Sequence, residues 1–254
     1  PAQGKYYSTI GGVDDGGTAS YNALILGERH RLSHGLSLQA NLTWAHCIAD
    51  PATTEITGPT YDNPTNRRMD RGNCSSDLPV VLNASFIADS PWHFHGAGAL
   101  ANDWQWSTIY SWRSGGFSNP GLSGVVTDPA LNGIGSRPDR GSSSPLLGSL
   151  TPVGTQGNLQ YLSLTAYAVP SFGSFGDAGP GTIPDPHFTQ IDMSLSRIVP
   201  MGEARSVQLR WDVFNVLNLV NLNGPNTGFG GPTFGQISSA GDPRIMQLAI
   251  KYVF

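Results

Sequence analysis

Residues 246–254 read MQLAIKYVF and alternate between apolar and mixed positions with a period of two. In an extended strand, one face therefore carries Met246, Leu248, Ile250, Tyr252 and Phe254. A soluble protein seldom ends on such a strand, because its apolar edge would act as a template for aggregation. In a membrane β-barrel, by contrast, the last strand pairs with another strand and faces lipid. The segment therefore predicts a transmembrane β-strand.

The composition agrees with a β-rich chain that has long loops. Charged residues make up 13% of the 254 residues, against about 25% in typical soluble domains. Turn-forming residues are abundant, with 32 glycines and 19 prolines. The net charge of −4 gives no reason to expect nucleic acid as a partner. No stretch approaches the roughly 18 consecutive apolar residues that a spanning helix needs.

Six further stretches alternate in the same way, so that seven strands are predicted. They cover residues 21–31, 36–44, 78–89, 100–113, 188–199, 207–213 and 246–254. If the apolar faces meet lipid, then Ser, Gln, Asn, Asp and Arg side chains line a wet interior. In a soluble sandwich, the same apolar faces would instead pack against each other. Aromatic side chains near strand ends fit the interfacial girdles of a barrel, although aromatics also favour strands in general. They are Trp44, Tyr110, Trp112 and Tyr252.

The predicted connections alternate between short and long. Short links occupy residues 32–35, 90–98 and 200–205, whereas long links occupy 49–77, 114–187 and 217–244. Bacterial outer-membrane barrels show this pattern, with tight periplasmic turns and extended extracellular loops. Such barrels have an even number of strands when built from one chain, and this sequence begins without Met or a signal peptide. We therefore expect residues 1–254 to be the C-terminal part of a single antiparallel transmembrane β-barrel domain.

Several motifs, in order along the chain, resemble the barrel of TonB-dependent outer-membrane receptors. The resemblance is to the Oar-like type, which carries an N-terminal carboxypeptidase-regulatory-like domain. The matching pieces are residues 21–48 (YNALILGERHRLSHGLSLQANLTWAHCI), 63–73 (NPTNRRMDRGN), 137–140 (RPDR), 192–197 (DMSLSR), 213–218 (VFNVLN) and 234–254 (FGQISSAGDPRIMQLAIKYVF). Residues 74–79 (CSSDLP) depart from the acidic, aromatic and Arg-rich stretch that the family tends to have there.

The resemblance implies a bacterial outer-membrane location and active uptake of a scarce, unidentified small ligand. It implies a barrel of about 22 strands, of which this chain supplies about seven. The plug domain and the segment that contacts the TonB complex lie N-terminal in this family, outside this sequence. The implied partners are outer-membrane lipid, the TonB complex through that N-terminal part, and the barrel-assembly machinery. Leu248, Ile250, Tyr252 and Phe254 match the terminal pattern that this machinery reads.

The two cysteines, Cys47 and Cys74, lie beside or within one predicted loop. A disulfide between them would suit the oxidising periplasm or cell surface and would stabilise the fold by about 3 kcal/mol. The alternative is a pair of unrelated free thiols.

No catalytic pattern is found, since the sequence has neither a Gly-x-Ser-x-Gly elbow nor a His-Glu-x-x-His motif. We therefore predict no enzymatic activity, no cofactor and no metal site. The oxygen-rich stretches Asp14-Asp15, Asp62-Asn63 and 221–226 suit calcium or sugar, but they lack the spacing of an EF-hand and fit solvated loops. Two alternatives to a receptor remain, namely a passive porin and a secreted or surface adhesin built as a carbohydrate-binding sandwich.

Overall fold

The computed structural model describes residues 15–31, 35–50, 61–63, 65–91, 94–124, 127–131, 136–202 and 205–254, and in them the fold is all-β. Two 3-10 helices, Arg67–Asp70 and Gly96–Ala101, accompany the strands. No helix of the described residues is long and apolar enough to cross a membrane. In chain order the strands are β1 (Thr18–Arg31), β2 (Leu36–Asp50), β3 (Gly72–Asn73), β4 (Val80–Asp89), β5 (Trp104–Arg113), β6 (Phe117–Ser118), β7 (Gly121–Leu122), β8 (Asp139–Arg140), β9 (Leu146–Val153), β10 (Asn158–Leu162), β11 (Tyr167–Ala168), β12 (Ile183–Pro184), β13 (Phe188–Pro200), β14 (Ser206–Phe214), β15 (Gly228–Phe229), β16 (Gln236–Ile237) and β17 (Ile245–Val253).

The seven long strands form one antiparallel sheet, which we call the wall. Their order in the sheet is their order in the chain, namely β1, β2, β4, β5, β13, β14 and β17. The pairing is regular: β1 and β2 stay in register from Thr18 opposite Asp50 to Arg31 opposite Ser37. Within the described residues, β1 and β17 are the edge strands. The wall confirms the seven predicted strands and their antiparallel arrangement.

From β2 to β17, the register keeps most apolar residues on one face of the wall. Strand β1 is mixed, since Glu28 and His30 lie on the same face as Leu24. Trp211 lies opposite Leu195 on one side and Leu248 on the other, so apolar side chains follow one another from strand to strand. On the opposite face, Asp212 lies between Ser194 and Gln247. The wall therefore has one apolar face and one polar face, as the alternation predicts.

The apolar face is uncovered. Leu248 is 82% exposed and Ile250 is 77% exposed. Among the described residues, no strand of another sheet packs extensively against the long strands of the wall. The expectation for a sandwich is that these side chains would be buried between two sheets. The exposure of these side chains therefore fits a barrel wall better than a sandwich.

Several predicted strand bounds differ from the observed ones. The first strand begins at Thr18 rather than at residue 21, and the second continues to Asp50 rather than ending at residue 44. The fourth strand begins at Trp104 rather than at residue 100, because Gly96–Ala101 forms a 3-10 helix. The indole of Trp104 donates a hydrogen bond to the Leu100 carbonyl at 2.8 Å, and Asp103 has a positive φ of 62°, which interrupts an extended chain. The third strand begins at Val80 rather than at 78, since Pro79 cannot donate to a ladder.

The described residues of the two longest connections fold together at one end of the wall, and we call this unit the loop assembly (the described residues of 114–187 and 215–244). Strand β16 joins β10 and β9 in a three-stranded sheet, and β15 pairs with β7. The buried centre consists of Leu162, Ala166, Tyr167, Ala178, Ile183 and Phe234. Three rings of this unit meet edge to face, with Phe229 and Phe234 centroids 5.2 Å apart and Tyr167 about 6 Å from each.

Glycine is required at position 235, where the two connections meet. Its φ is +73°, a left-handed conformation that L side chains rarely adopt. Its carbonyl accepts hydrogen bonds from the backbone N–H groups of Tyr161 and Leu162 at 2.8 and 3.1 Å. A Cβ atom at this position would approach the Leu162 side chain to 2.8 Å. The Phe234-Gly235 pair of the terminal motif therefore anchors the last connection on the core of the loop assembly.

A pair of substitutions in β17 tests the assignment of the two faces. Leu248→Arg places a charge on the apolar face and should cost about 2–4 kcal/mol near the centre of a bilayer. Gln247→Arg places the same charge on the polar face beside Asp212, so its cost should be small. The measurement is the folded fraction of the full-length protein in outer membranes, read from its heat-modifiable mobility. Equal losses for both variants would contradict the assignment.

Candidate ligand site at the long-loop end of the wall

A cavity of about 670 Å³ lies between the polar face of the wall and the loop assembly. Its volume is within the range of about 300–1,000 Å³ that small-molecule sites occupy. The wall contributes residues from the ends of β5, β13, β14 and β17, all of which point to the polar face according to the register. The principal side chains of the lining are Arg113, Asp185, Phe188, Gln190, Phe214 and Asp242.

Arg113 lines the cavity and forms no ion pair with any of the described residues. It is paired across the sheet with Phe188, and its guanidinium carbon lies 4.6 Å from the centre of that ring. This stacking is a cation–π contact, and it holds the planar group in place without using its N–H donors. Within the described residues, the guanidinium makes no hydrogen bond. The donors of Arg113 are therefore available to a ligand.

Asp185 supplies a carboxylate on the same cavity. Ser118 donates its hydroxyl to both carboxylate oxygens, at 2.8 and 3.0 Å. Burial raises the pKa of Asp185, and the Ser118 hydrogen bond opposes this rise. The chain passes so close here that a Cβ on Gly115 would overlap the Asp185 carbonyl oxygen. The pKa of Tyr161 is also raised, by burial and by the negative charge of Asp185.

Two buried asparagines fix the wall to the last connection. Asn221 accepts a hydrogen bond from the Thr189 N–H at 2.8 Å and donates to the Thr189 carbonyl at 2.9 Å. Asn215 has a φ of +51° directly after β14, and its N–H donates to Asp192 at 2.9 Å. Its amide also donates to the Leu219 and Asp242 carbonyls, at 2.9 and 3.2 Å. These contacts set the shape of the cavity and use the amide groups of both residues.

A buried ion pair joins the connection between β2 and β4 to the loop assembly. Arg137 donates to the Asp70 carboxylate at 2.6 Å and to the Met69 carbonyl at 2.7 Å. Asp62 lies 3.7 Å from the same guanidinium. Burial raises the pKa of Asp62, and the charge of Arg137 opposes the rise. We call Arg137, Asp70 and Asp62 the latch.

The structure joins Cys47 and Cys74 by a disulfide, with their Cα atoms 5.4 Å apart. The backbone N–H of Cys74 also donates to the Cys47 carbonyl at 3.1 Å. Next to it, the imidazole of His46 lies 3.1 Å from the buried carboxylate of Asp77. The disulfide therefore ties the end of β2 to the far side of its connection.

The terminal strand lies far from the cavity for most of its length. Met246, Leu248, Ile250 and Tyr252 share the apolar face of β17, and Phe254 follows the strand with 92% of its surface exposed. Its role in closing a barrel stays a prediction. Among the described residues, no three His, Cys, Asp or Glu side chains are placed to hold a metal ion. Asp14 lies outside the described residues, and Asp62 and Asn221 take part in the latch and the wall contacts instead.

Sequence reasoning missed Arg113, Asp185 and Phe214 as lining residues. Arg113 ends the fourth predicted strand on its polar side, Phe214 directly follows the sixth, and Asp185 lies in the connection just before the fifth. The available signal was therefore their position at the long-loop end of a strand. What the sequence does not reveal is that the connections fold back over these ends. That arrangement depends on pairings between residues far apart in the chain, such as Leu159 with Ile237.

Comparison with known proteins identifies the class of this wall. Residues 1–247 match the family model described as an outer membrane beta barrel domain. No curated protein and no solved structure matches the chain. The match covers nearly the whole chain, and it agrees with the single sheet and its exposed apolar face.

The disulfide is testable by thiol labelling. The full-length protein should resist a maleimide reagent under denaturing conditions and should gain two labels after reduction. Replacing both Cys47 and Cys74 by Ser should lower the free energy of unfolding by about 3–4 kcal/mol, because the closed loop spans 27 residues. The measurement is the denaturant midpoint in detergent. Labelling without reduction would contradict the bond.

From the latch we expect that replacing Arg137 destabilises the loop assembly much more than replacing Arg140. Arg137→Met leaves the Asp70 carboxylate buried and uncompensated, so we expect a cost of about 3–5 kcal/mol. Arg140→Met is the matched control from the same RPDR motif, since the exposed Arg140 side chain forms no ion pair within the described residues. It should cost less than about 1 kcal/mol. The measurement is the rate of limited proteolysis within residues 114–187.

A double variant separates the ion pair from side-chain packing. Combining Arg137→Met with Asp70→Leu removes both charges, and it should recover much of the protease resistance that the single variant loses. If Arg137→Met and Arg140→Met were cleaved at the same rate, the latch would contribute nothing to the loop assembly.

Proposed function

Because the chain belongs to the outer membrane beta barrel domain family, we propose that it is the C-terminal barrel part of a TonB-dependent receptor for active uptake. In this proposal the protein lies in the bacterial outer membrane with its apolar face against lipid. The long connections are extracellular and the short turns periplasmic. Energy coupling belongs to an N-terminal plug and TonB-contacting segment that this sequence does not contain.

The observation that carries the proposal is the ligand-sized cavity where the loop assembly meets the polar face. A passive pore needs an open, water-filled lumen, whereas a receptor must hold its ligand before import. Here two extracellular connections share one hydrophobic core, and the cavity beneath them presents Arg113 and Asp185. This arrangement favours a receptor over a porin.

The contacts between motifs give a second line of support. The DMSLSR and VFNVLN motifs meet through the bond from the Asn215 N–H to Asp192 at 2.9 Å. The NPTNRRMDRGN and RPDR motifs meet through Arg137 and Asp70 at 2.6 Å. Segments that resemble receptor motifs and lie far apart in the sequence therefore contact one another in the fold. These contacts support the resemblance.

The terminal strand has two roles in the proposal. The apolar side chains Leu248, Ile250 and Tyr252 face lipid, and their pattern together with Phe254 is read by the barrel-assembly machinery. The free edge of β17 pairs with the first strand of the complete barrel, because an unpaired edge in hydrocarbon would cost several kcal/mol per backbone group.

Conductance in planar lipid bilayers tests the receptor against the porin without knowledge of the ligand. The full-length protein should be closed, because a plug fills the lumen of such receptors. A variant that lacks the segment N-terminal to the barrel should form open channels of steady conductance. Steady channels from the full-length protein would show a passive porin and would contradict the proposal.

A cellular control addresses energy coupling. The full-length protein should form a crosslink with TonB through its N-terminal segment, and removal of that segment should abolish the crosslink while outer-membrane insertion is retained. A protein that is closed in bilayers but never contacts TonB would contradict active uptake.

A further inference from the structure

The cavity beneath the loop assembly presents both an unpaired hydrogen-bond donor and a partly paired acceptor. Arg113 has no hydrogen-bond partner among the described residues, and a guanidinium carries five N–H donors in a fixed plane. Among the described residues, the Asp185 carboxylate accepts hydrogen bonds only from Ser118, and a carboxylate has about four lone-pair sites. A matching ligand must therefore accept hydrogen bonds and donate them.

The charges of the cavity disfavour a strongly anionic ligand and a bare metal ion. The single guanidinium of Arg113 is accompanied by the carboxylates of Asp185 and Asp242. A strongly anionic ligand would meet these carboxylates, and a bare metal ion would meet the guanidinium. The described residues also hold no cluster of three metal-ligating side chains.

Besides aliphatic, proline and glycine residues, the remaining lining offers the amide of Gln190 and an aromatic surface. The amide nitrogen of Gln190 donates to Asp192 at 2.8 Å, so that its carbonyl oxygen stays an acceptor. Phe214 is 41% exposed and lies on the same face of the wall as Gln190. An aromatic ring offers an apolar surface to the C–H face of a flat, ring-shaped ligand.

From these features we propose that the cavity binds a neutral oligosaccharide. Neighbouring hydroxyl groups of one sugar ring accept hydrogen bonds from the guanidinium fork of Arg113, and others donate to the carboxylate of Asp185. The sugar ring lies against Phe214. This inference rests on the proposed function, because it names the class of ligand that the receptor would import.

The test is equilibrium dialysis of the purified full-length protein against a mixture of neutral oligosaccharides, with mass spectrometry of the retained species. The mixture contains the tri- to hexasaccharides of cellulose, xylan and mannan. At least one member should be retained above the protein-free control. Arg113→Met and Asp185→Asn should each reduce its affinity by at least about tenfold, because each removes a charge-assisted hydrogen bond.

Lys251→Gln is the matched control. Lys251 lies on the same polar face as Arg113 but near the opposite end of the wall, where it faces Gln208. Its replacement should leave the affinity unchanged. Native mobility on gels, measured for every variant, separates lost binding from lost folding.

Three outcomes would overturn the inference. They are retention of no neutral oligosaccharide, retention that Arg113→Met and Asp185→Asn leave unchanged, and selective retention of oligogalacturonides or tripeptides from parallel mixtures. Binding in detergent requires neither a plug nor TonB. A failure here would therefore leave the receptor proposal standing, whereas open channels from the full-length protein would refute the receptor and leave this binding site untouched.

Discussion

The separation of hydrocarbon from water across a single sheet is the constraint on which the rest of this structure depends. Lipid offers no hydrogen-bond partner to a peptide group, so each strand must satisfy its backbone through its neighbours. The wall does this with long, regular antiparallel registers, such as that between β14 and β17 from Ser206 opposite Val253 to Phe214 opposite Ile245. Because side chains alternate along a strand, a slip of one residue would turn the whole apolar face inward. The strand register is therefore fixed by the contact of one face with hydrocarbon and of the other face with water.

The loop assembly lies outside the hydrocarbon, so its backbone and polar groups can also hydrogen-bond to water. There the chain can use short strands, buried amides and charges that the membrane would not tolerate. Its hydrophobic core, around Leu162 and Ile183, is small. The Cys47–Cys74 disulfide ties the end of β2 to the next connection, and the latch at Arg137 joins that connection to the loop assembly. Asn215 and Asn221 attach the last connection to β13, and both residues line the cavity.

The wall was predictable from the sequence because its determinants are local. The alternation in residues 246–254 is read directly from the chain, and the pairing of sequential strands follows from their order. The first and last residues of the strands were harder to predict, because neighbouring turns and short helices shift them. The 3-10 helix at Gly96–Ala101 moves the start of β5 to Trp104. The cavity was not predictable, because Arg113, Asp185 and Phe214 come together only through contacts between distant connections. The motifs that resemble receptors contain attachment points, such as Asp192 with Asn215, and also residues of the cavity lining, such as Phe214 and Asp242.

The central claim is that hydrocarbon contacts the apolar face of the wall while water contacts the polar face. It is tested most directly by nitroxide labels placed one at a time at positions 246–253 of β17 in the full-length protein in lipid bilayers. Collision with membrane-soluble oxygen and with a water-soluble nickel chelate is then measured at each position. We expect oxygen accessibility to peak at Met246, Leu248, Ile250 and Tyr252, and nickel accessibility to peak at the intervening positions. Accessibilities without a period of two, or with the opposite phase, would contradict it.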